Sequence, residues 1–222
     1  MNHVRSRIRS AAIAAGRDPE SVTLVAVTKA KTAESVRLAA TAGVTDFGEN
    51  YLQEALGKME ELAGLNLTWH FIGGIQSNKT RAIADRFDWV QSVDRLSIAR
   101  RLSEQRPFHA APLNVCIQVA LVHETTKGGV APEALPQLAA AVAALPRIKL
   151  RGLMCVPPPQ PDAAAERAVF ARLRHALEEL NAGGLKLDTL SMGMSGDFES
   201  AIAEGATLVR IGTALFGARG NP

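Results

Sequence analysis

Eight short apolar runs alternate with helical segments along almost the whole chain, and this alternation limits the fold more than any other feature. The runs are Thr23–Thr28, Thr45–Gly48, Thr68–Ile72, Trp89–Val93, Asn114–Leu121, Arg151–Val156, Thr189–Met192 and Leu208–Ile211. Several are continuously apolar rather than alternating, the mark of strands buried on both faces, as in parallel sheets. The segments between them carry helix signals. Thr32 opens a helix that ends at Gly43, Asn50 precedes one that ends near Gly64, and Asn78 and Asp94 open the next two, the latter stopping before Pro107. Pro132 opens a helix to Leu145, Asp162 caps the longest, which ends at Asn181–Gly184, and a short one runs from about Gly196 to Glu204. Strand–helix alternation predicts parallel strands joined by crossover helices, and eight repeats predict a closed (β/α)8 barrel in one domain over residues 1–222. Too few residues follow the eighth strand for a full outer helix. A helical segment, Val4–Ala15, precedes the first strand instead, and we expect it to pack where the eighth outer helix would lie.

Composition narrows the function. Aromatic residues are 5% of the chain, with Tyr51 the single tyrosine, so the core is aliphatic. With 47% hydrophobic and 21% charged residues the chain is an ordinary globule, not a disordered one. The 25 basic and 22 acidic residues are interspersed, and there is no basic stripe with interleaved aromatics, which speaks against nucleic acid as a partner. Cys116 and Cys155 lie far apart in apolar runs without metal-type spacing, so buried reduced thiols and no metal are expected. No apolar run approaches the ~18 residues that span a bilayer. The opening MNHVRSRIRS is too charged to lead into a signal peptide, so a cytoplasmic setting is expected.

In a parallel barrel the site lies at the C-terminal ends of the strands. The polar residues there are Lys29, Glu49, Asn50, Gln76, Ser77, Asn78, Lys79, Asp94, Lys127, Ser195 and Arg210, the last followed by Gly212 and Thr213. Met194-Ser195-Gly196-Asp197 places a hydroxyl and free N–H groups at a helix start, and Arg210-Ile211-Gly212-Thr213 supplies a second set. Ser195 alone reads as an N-cap and Gly212 alone as a turn residue. Together, after strands seven and eight, they read as a phosphate site. Lys29 at the end of the first strand is either a solvated amine or one partly desolvated by the barrel, which would make it a Schiff-base nucleophile. Periodicity does not decide between Lys29 and Lys31 for burial. His70 reads as a hydrogen-bonded histidine inside the barrel before it reads as a base. His123-Glu124 is no metal pair, since adjacent strand residues point opposite ways.

These residues also carry a family resemblance. Val27-Thr28-Lys29, Phe47-Gly48-Glu49-Asn50-Tyr51, His70-Phe71-Ile72-Gly73, Gln76-Ser77-Asn78-Lys79, Lys127-Gly128-Gly129 and Arg151-Gly152-Leu153-Met154 resemble, in order, motifs of the YggS/PROSC family of pyridoxal 5′-phosphate (PLP) homeostasis proteins. So do Ser191-Met192-Gly193-Met194-Ser195-Gly196-Asp197, Val209-Arg210-Ile211-Gly212-Thr213 and Phe216-Gly217. The resemblance implies a single-domain barrel of the alanine racemase type that holds PLP as an aldimine of Lys29. It implies phosphate contacts from Ser195, Gly212 and Thr213, Arg210 facing the pyridine nitrogen, and Asn50 and Met192 lining the ring. An arginine there leaves the ring a poorer electron sink than an aspartate would. The chain departs from the family at Gly74-Ile75, Ala206 and the proline run Pro157–Pro159, none of them among the implied cofactor residues.

The resemblance favours a PLP carrier in vitamin B6 and amino-acid homeostasis, with PLP-dependent apo-enzymes as recipients, over a PLP-dependent amino-acid racemase. Racemisation needs an acid/base on each face of the cofactor. In alanine racemases the second is a tyrosine from an added domain, whereas Tyr51 is expected to open the second outer helix. A third reading, a sugar-phosphate barrel enzyme without PLP, uses the same phosphate site but leaves Lys29 without a carbonyl partner. The chain is expected to be a monomer or weak homodimer with a partly solvent-exposed cofactor.

Overall fold

The computed structural model describes residues 1–122 and 128–217. Its eight strands are β1 (Thr23–Val27), β2 (Asp46–Glu49), β3 (Thr68–Phe71), β4 (Trp89–Val93), β5 (Leu113–Gln118), β6 (Ile148–Met154), β7 (Thr189–Ser191) and β8 (Leu208–Ile211). They pair in parallel in chain order and close into a barrel, with Val25 opposite Arg210 and Ala26 opposite Ile211 at the seam. Around them lie α1 (Asn2–Ala14), α2 (Ala33–Thr41), α3 (Leu52–Glu61), α4 (Thr80–Arg86), α5 (Leu96–Gln105), α6 (Leu135–Ala143), α7 (Ala163–Ala182), α8 (Phe198–Ala203) and the short α9 (Thr213–Phe216). The caps read from the sequence form: the Thr32 side chain accepts from Ser35 N–H, and Asp162 accepts from Ala165 N–H at 2.8 Å. Pro132 opens a 3-10 turn that leads into α6, whereas Asn78 lies within the 3-10 turn Ser77–Lys79, capped by Gln76, that leads into α4.

The core is aliphatic and lies in two shells, one inside the barrel and one between sheet and helices. Fully buried Val25, Ala26, Val90, Ile117, Leu153 and Val209 belong to the strands, and Val36, Ile83, Ile98, Leu102 and Leu173 to the helices. Helix α1 buries Val4, Ile8 and Ala12. It lies against α8: Arg7 pairs with Glu199 at 2.6 Å and its guanidinium sits 4.6 Å from the Phe198 ring centre. Arg5 at its other flank reaches Gly43 in the α2–β2 turn. Thus α1 stands in the outer ring beside α8, the place expected for it.

Two strand ends differ from expectation by three residues, the other bounds by no more than two. β6 starts at Ile148 rather than Arg151, because its first residues alternate, with Ile148 and Leu150 buried and Lys149 exposed. β5 stops at Gln118 rather than Leu121: Val119 N–H still reaches the Met154 carbonyl, but the chain from there pairs with Val130 instead of a barrel strand. No helix among the described residues is long and apolar enough to cross a membrane.

Candidate functional site

The β1–β8 seam brings the first and last groups of candidate residues together. A Cβ built on Gly212 would lie 3.4 Å from the Val27 carbonyl oxygen, so the loop after β8 rests on the end of β1, two residues from Lys29. The loops after β7 and β8 are joined in turn: Ala214 N–H donates to Ser195 Oγ at 3.2 Å. Arg210 N–H donates to the Gly193 carbonyl, which ties β8 to the start of the loop after β7. Gly196 and Gly212 N–H groups donate to no backbone carbonyl among the described residues, and the space over Gly196 is open. Ser195, Gly212 and Thr213 therefore gather at one place, with Lys29 on the neighbouring strand end.

Lys29 is half-buried and sits in a tight turn whose next residue, Ala30, has φ +57°, an uncommon conformation for a residue with a side chain. Groups from β2 and α3 hold this turn. Ala30 N–H donates to Glu54 Oε2 at 2.9 Å, Lys58 Nζ donates to the Thr28 carbonyl at 2.7 Å, and Thr28 Oγ1 donates to Glu49 Oε1 at 2.6 Å. Lys58 and Glu49 are themselves a buried ion pair at 2.7 Å. Burial pushes the Glu49 carboxyl above its ordinary range, even though bonds from Lys58 and Thr28 favour its anion. Lys31 points elsewhere, with its Nζ on the Phe216 carbonyl at 3.0 Å.

Arg210 lies inside the barrel. Its Nη1 donates to Ser191 Oγ at 2.6 Å and its Nη2 to the Cys155 carbonyl at 2.7 Å. Two of the five N–H donors of a guanidinium are spent this way. Burial lowers its pKa, but a guanidinium keeps its proton. Met192 is fully buried one residue after Ser191. Asn50 approaches the next strand so closely that its carbonyl oxygen would stand 2.2 Å from a Cβ at Gly73, which only glycine permits. Its side-chain Oδ1 is buried without a hydrogen-bond partner, as is Glu49 Oε2. A buried polar atom left unpaired costs about 1–3 kcal/mol, which makes Asn50 a natural acceptor for a ligand donor.

The other candidates are spread around the mouth. Asn50, Tyr51, Gln76 and Lys79 line one cleft of about 500 Å³, and Tyr51 is the exposed residue that opens α3. Asp94 pairs with Arg95. Lys127 and His123-Glu124 fall outside the described residues. His70 is fully buried and hydrogen-bonded on both ring nitrogens, to Asp46 and Gln91. Gln91, Ser191 and Lys58 were not singled out in the sequence. A glutamine inside an apolar strand was a visible signal for the first, but nothing marks Lys58 as buried. Both cysteines are free and buried, and burial pushes each thiol up to about 12. Among the described residues no group of three or more His, Cys, Asp or Glu could hold a metal.

Comparison with known proteins places this arrangement. The sequence model of the alanine racemase N-terminal domain matches residues 1–220. A pyridoxal phosphate homeostasis protein of Pseudomonas aeruginosa is 65% identical over 216 residues, covering 97% of this chain and 93% of that protein. The protein of that name from Escherichia coli K12 is 49% identical over 219 residues, covering 97% and 94%. Among solved structures, PipY of Synechococcus elongatus PCC7942, with PLP bound, superposes with a TM-score of 0.85 at 40% identity over 96% of this chain and all of that one. A Clostridium difficile alanine racemase shares the barrel, with a TM-score of 0.77 at 16% identity over 96% of this chain and 55% of that one. With a match over nearly its whole length and relatives this similar, the chain belongs to the alanine racemase N-terminal domain family, on its branch of pyridoxal phosphate homeostasis proteins.

Proposed function

We propose that this chain is a single-domain PLP-holding protein of vitamin B6 and amino-acid homeostasis. It works in the cytoplasm as a monomer or weak homodimer, and PLP-dependent apo-enzymes are the recipients of its cofactor. The carrying observation is the β1–β8 seam, where the loops of Ser195 and Gly212, tied by the Ala214–Ser195 bond, rest beside the strand end of Lys29. When bound, PLP supplies an aldehyde that combines reversibly with a primary amine.

The residues at the mouth fit that group. Lys29 offers the amine, held in its turn by Glu54, Lys58 and Thr28. Ser195 Oγ accepts from Ala214 N–H and keeps its own proton for a phosphate oxygen. Gly212 and Thr213 bring backbone N–H groups, and the absent side chain at Gly212 permits close approach. Arg210 presents donors and no acceptor to the ring nitrogen, so it offers a hydrogen bond without readily giving up its proton, and the nitrogen stays unprotonated. Asn50 and Met192 line the ring, and the unpaired Asn50 Oδ1 gains a donor there. An arginine in that role suits holding the cofactor better than driving carbanion chemistry.

Titration of the purified protein with PLP, followed by visible absorbance, tests the reading. Saturable uptake is expected. Ser195→Ala should weaken it about ten- to hundredfold, the worth of one hydrogen bond to a charged group. A protein that takes up no PLP would overturn the proposal.

A further inference from the structure

A chain of buried hydrogen bonds crosses the barrel from Arg210 to Asp46. Arg210 Nη1 meets Ser191 Oγ at 2.6 Å, Ser191 Oγ meets Gln91 Oε1 at 2.6 Å, Gln91 Nε2 meets His70 Nδ1 at 2.8 Å, and His70 Nε2 meets Asp46 Oδ1 at 2.9 Å. The links sit on β8, β7, β4, β3 and β2 in turn. Ser191, Gln91 and His70 are fully buried, and Arg210 nearly so.

The polarity of the chain follows from its ends. A guanidinium can only donate, so Ser191 Oγ accepts from Arg210. The serine's one proton then goes to Gln91 Oε1. The glutamine turns its NH2 to the imidazole, and an NH2 can only donate, so His70 Nδ1 is the bare nitrogen. The ring proton is on Nε2, where it donates to the Asp46 carboxylate. Every bond runs the same way, from a cation to an anion, the arrangement in which each bond polarises the next.

Packing fixes the middle of the chain. The Trp89 ring stacks on His70 with centres 5.4 Å apart and planes at 14°, and the Arg151 guanidinium lies 4.8 Å from the Trp89 centre. Arg151 is held by Asp188 and Asn114. At the far end Asp46 also accepts from Thr45 Oγ1 at 2.7 Å. Burial works against its charge, but the bonds from His70 and Thr45 outweigh it and hold the carboxyl below its ordinary value. Asp46 lines a cleft of about 480 Å³ with Arg5 and Arg9, so the chain ends at the opposite mouth of the barrel.

We propose that Asp46, His70 and Gln91 are positioning residues that act through Ser191 to aim and polarise the Arg210 guanidinium toward the ring nitrogen of the bound cofactor. This rests on the reading that Arg210 faces that ring. It makes the chain more than core filling, because the carboxylate at one mouth then sets the donor strength presented at the other.

Two measurements test it. In the cofactor-free protein, long-range 1H–15N NMR of His70 should show the proton on Nε2 and none on Nδ1; the opposite tautomer would overturn the proposal without any reference to PLP. In the PLP-loaded protein, Gln91→Leu cuts the chain, and Asp46→Asn keeps an acceptor for His70 while removing the charge. Both should displace the visible absorbance maximum, and Gln91→Leu should weaken PLP binding about three- to tenfold. Ser103→Ala, which removes a buried hydroxyl that donates to the Pro146 carbonyl far from the chain, controls for a general loss of packing and should leave the spectrum unchanged. If wild type takes up PLP but Asp46→Asn and Gln91→Leu match it in spectrum and affinity, the positioning role is wrong. If wild type takes up no PLP, the functional reading fails and this role falls with it, while the tautomer stands as measured.

Discussion

Replacing Lys58 by methionine probes the clamp beneath Lys29. Lys58 Nζ lies 2.7 Å from Glu49 Oε1, 2.7 Å from the Thr28 carbonyl and 3.9 Å from Glu54 Oε2. Glu49 is wholly buried and its Oε2 already has no partner. Lys58→Met keeps the bulk of the stem and leaves the Glu49 carboxylate without a counter-charge. Removing one partner of a buried ion pair costs about 3–5 kcal/mol. The loss has a definite dependence on pH. Burial already raises the Glu49 pKa above 4.5 against the opposing pull of Lys58, so without Lys58 it rises further. A carboxyl whose folded pKa exceeds its unfolded value favours the folded state while it stays protonated. That contribution is lost as pH rises through the folded pKa. The destabilisation should therefore shrink as pH falls from about 8 toward about 5. Adding Glu49→Gln to the variant should recover about 1–3 kcal/mol, the usual coupling between groups in contact. Urea unfolding followed by circular dichroism gives each value, provided the denaturant slope is unchanged. A loss below about 1 kcal/mol, or one independent of pH, would refute the reasoning, because it would mean that the pair does not compensate a buried charge.

Other consequences are as direct. A Cβ at Gly152 would stand 1.8 Å from the Thr189 carbonyl oxygen, so Gly152→Ala should force β6 and β7 apart and cost about 3 kcal/mol or more, seen as a large drop in Tm. Cys116 and Cys155 should resist a thiol reagent at pH 8 in the folded protein, and both should react once it is unfolded in urea. Because each folded thiol titrates near 12 against an ordinary 9.0, their protonated forms favour the fold below about pH 9. That support fades as pH rises toward 12. At pH 10 the two together should cost about 3 kcal/mol, and Cys116→Ser should flatten the pH profile of unfolding.

The barrel was legible because buried parallel strands announce themselves as continuous apolar runs, and because Thr32 and Asp162 are genuine caps. Where a strand is only half covered the signal fails. Lys149 and Arg151 break up the start of β6, and the apolar run of β5 continues past Val119, where the chain pairs with Val130 instead of a barrel strand. At the mouth, barrel geometry says which strand ends matter, and it brings Lys29, Ser195, Arg210 and Gly212 forward as candidates. The polar interior was harder to see. Gln91 and Ser191 are small interruptions in apolar strands, and their importance comes from partners 100 residues apart. Lys58 resembles any lysine on a helix surface until the tertiary structure turns it inward onto Glu49. His70 was correctly read as a hydrogen-bonded core histidine, yet its place in a chain leading to Arg210 needed the fold.

Lys29 is the amine proposed to hold PLP, and one measurement addresses it. Borohydride reduction of the PLP-treated protein, followed by peptide mapping with mass spectrometry, locates the amine that holds the cofactor. A pyridoxyl group is expected on Lys29, one per chain, absent from Lys29→Ala, with the visible absorbance lost in the same variant. Labelling of Lys31 or Lys58 in its place, or labelling and colour undiminished in Lys29→Ala, would contradict it.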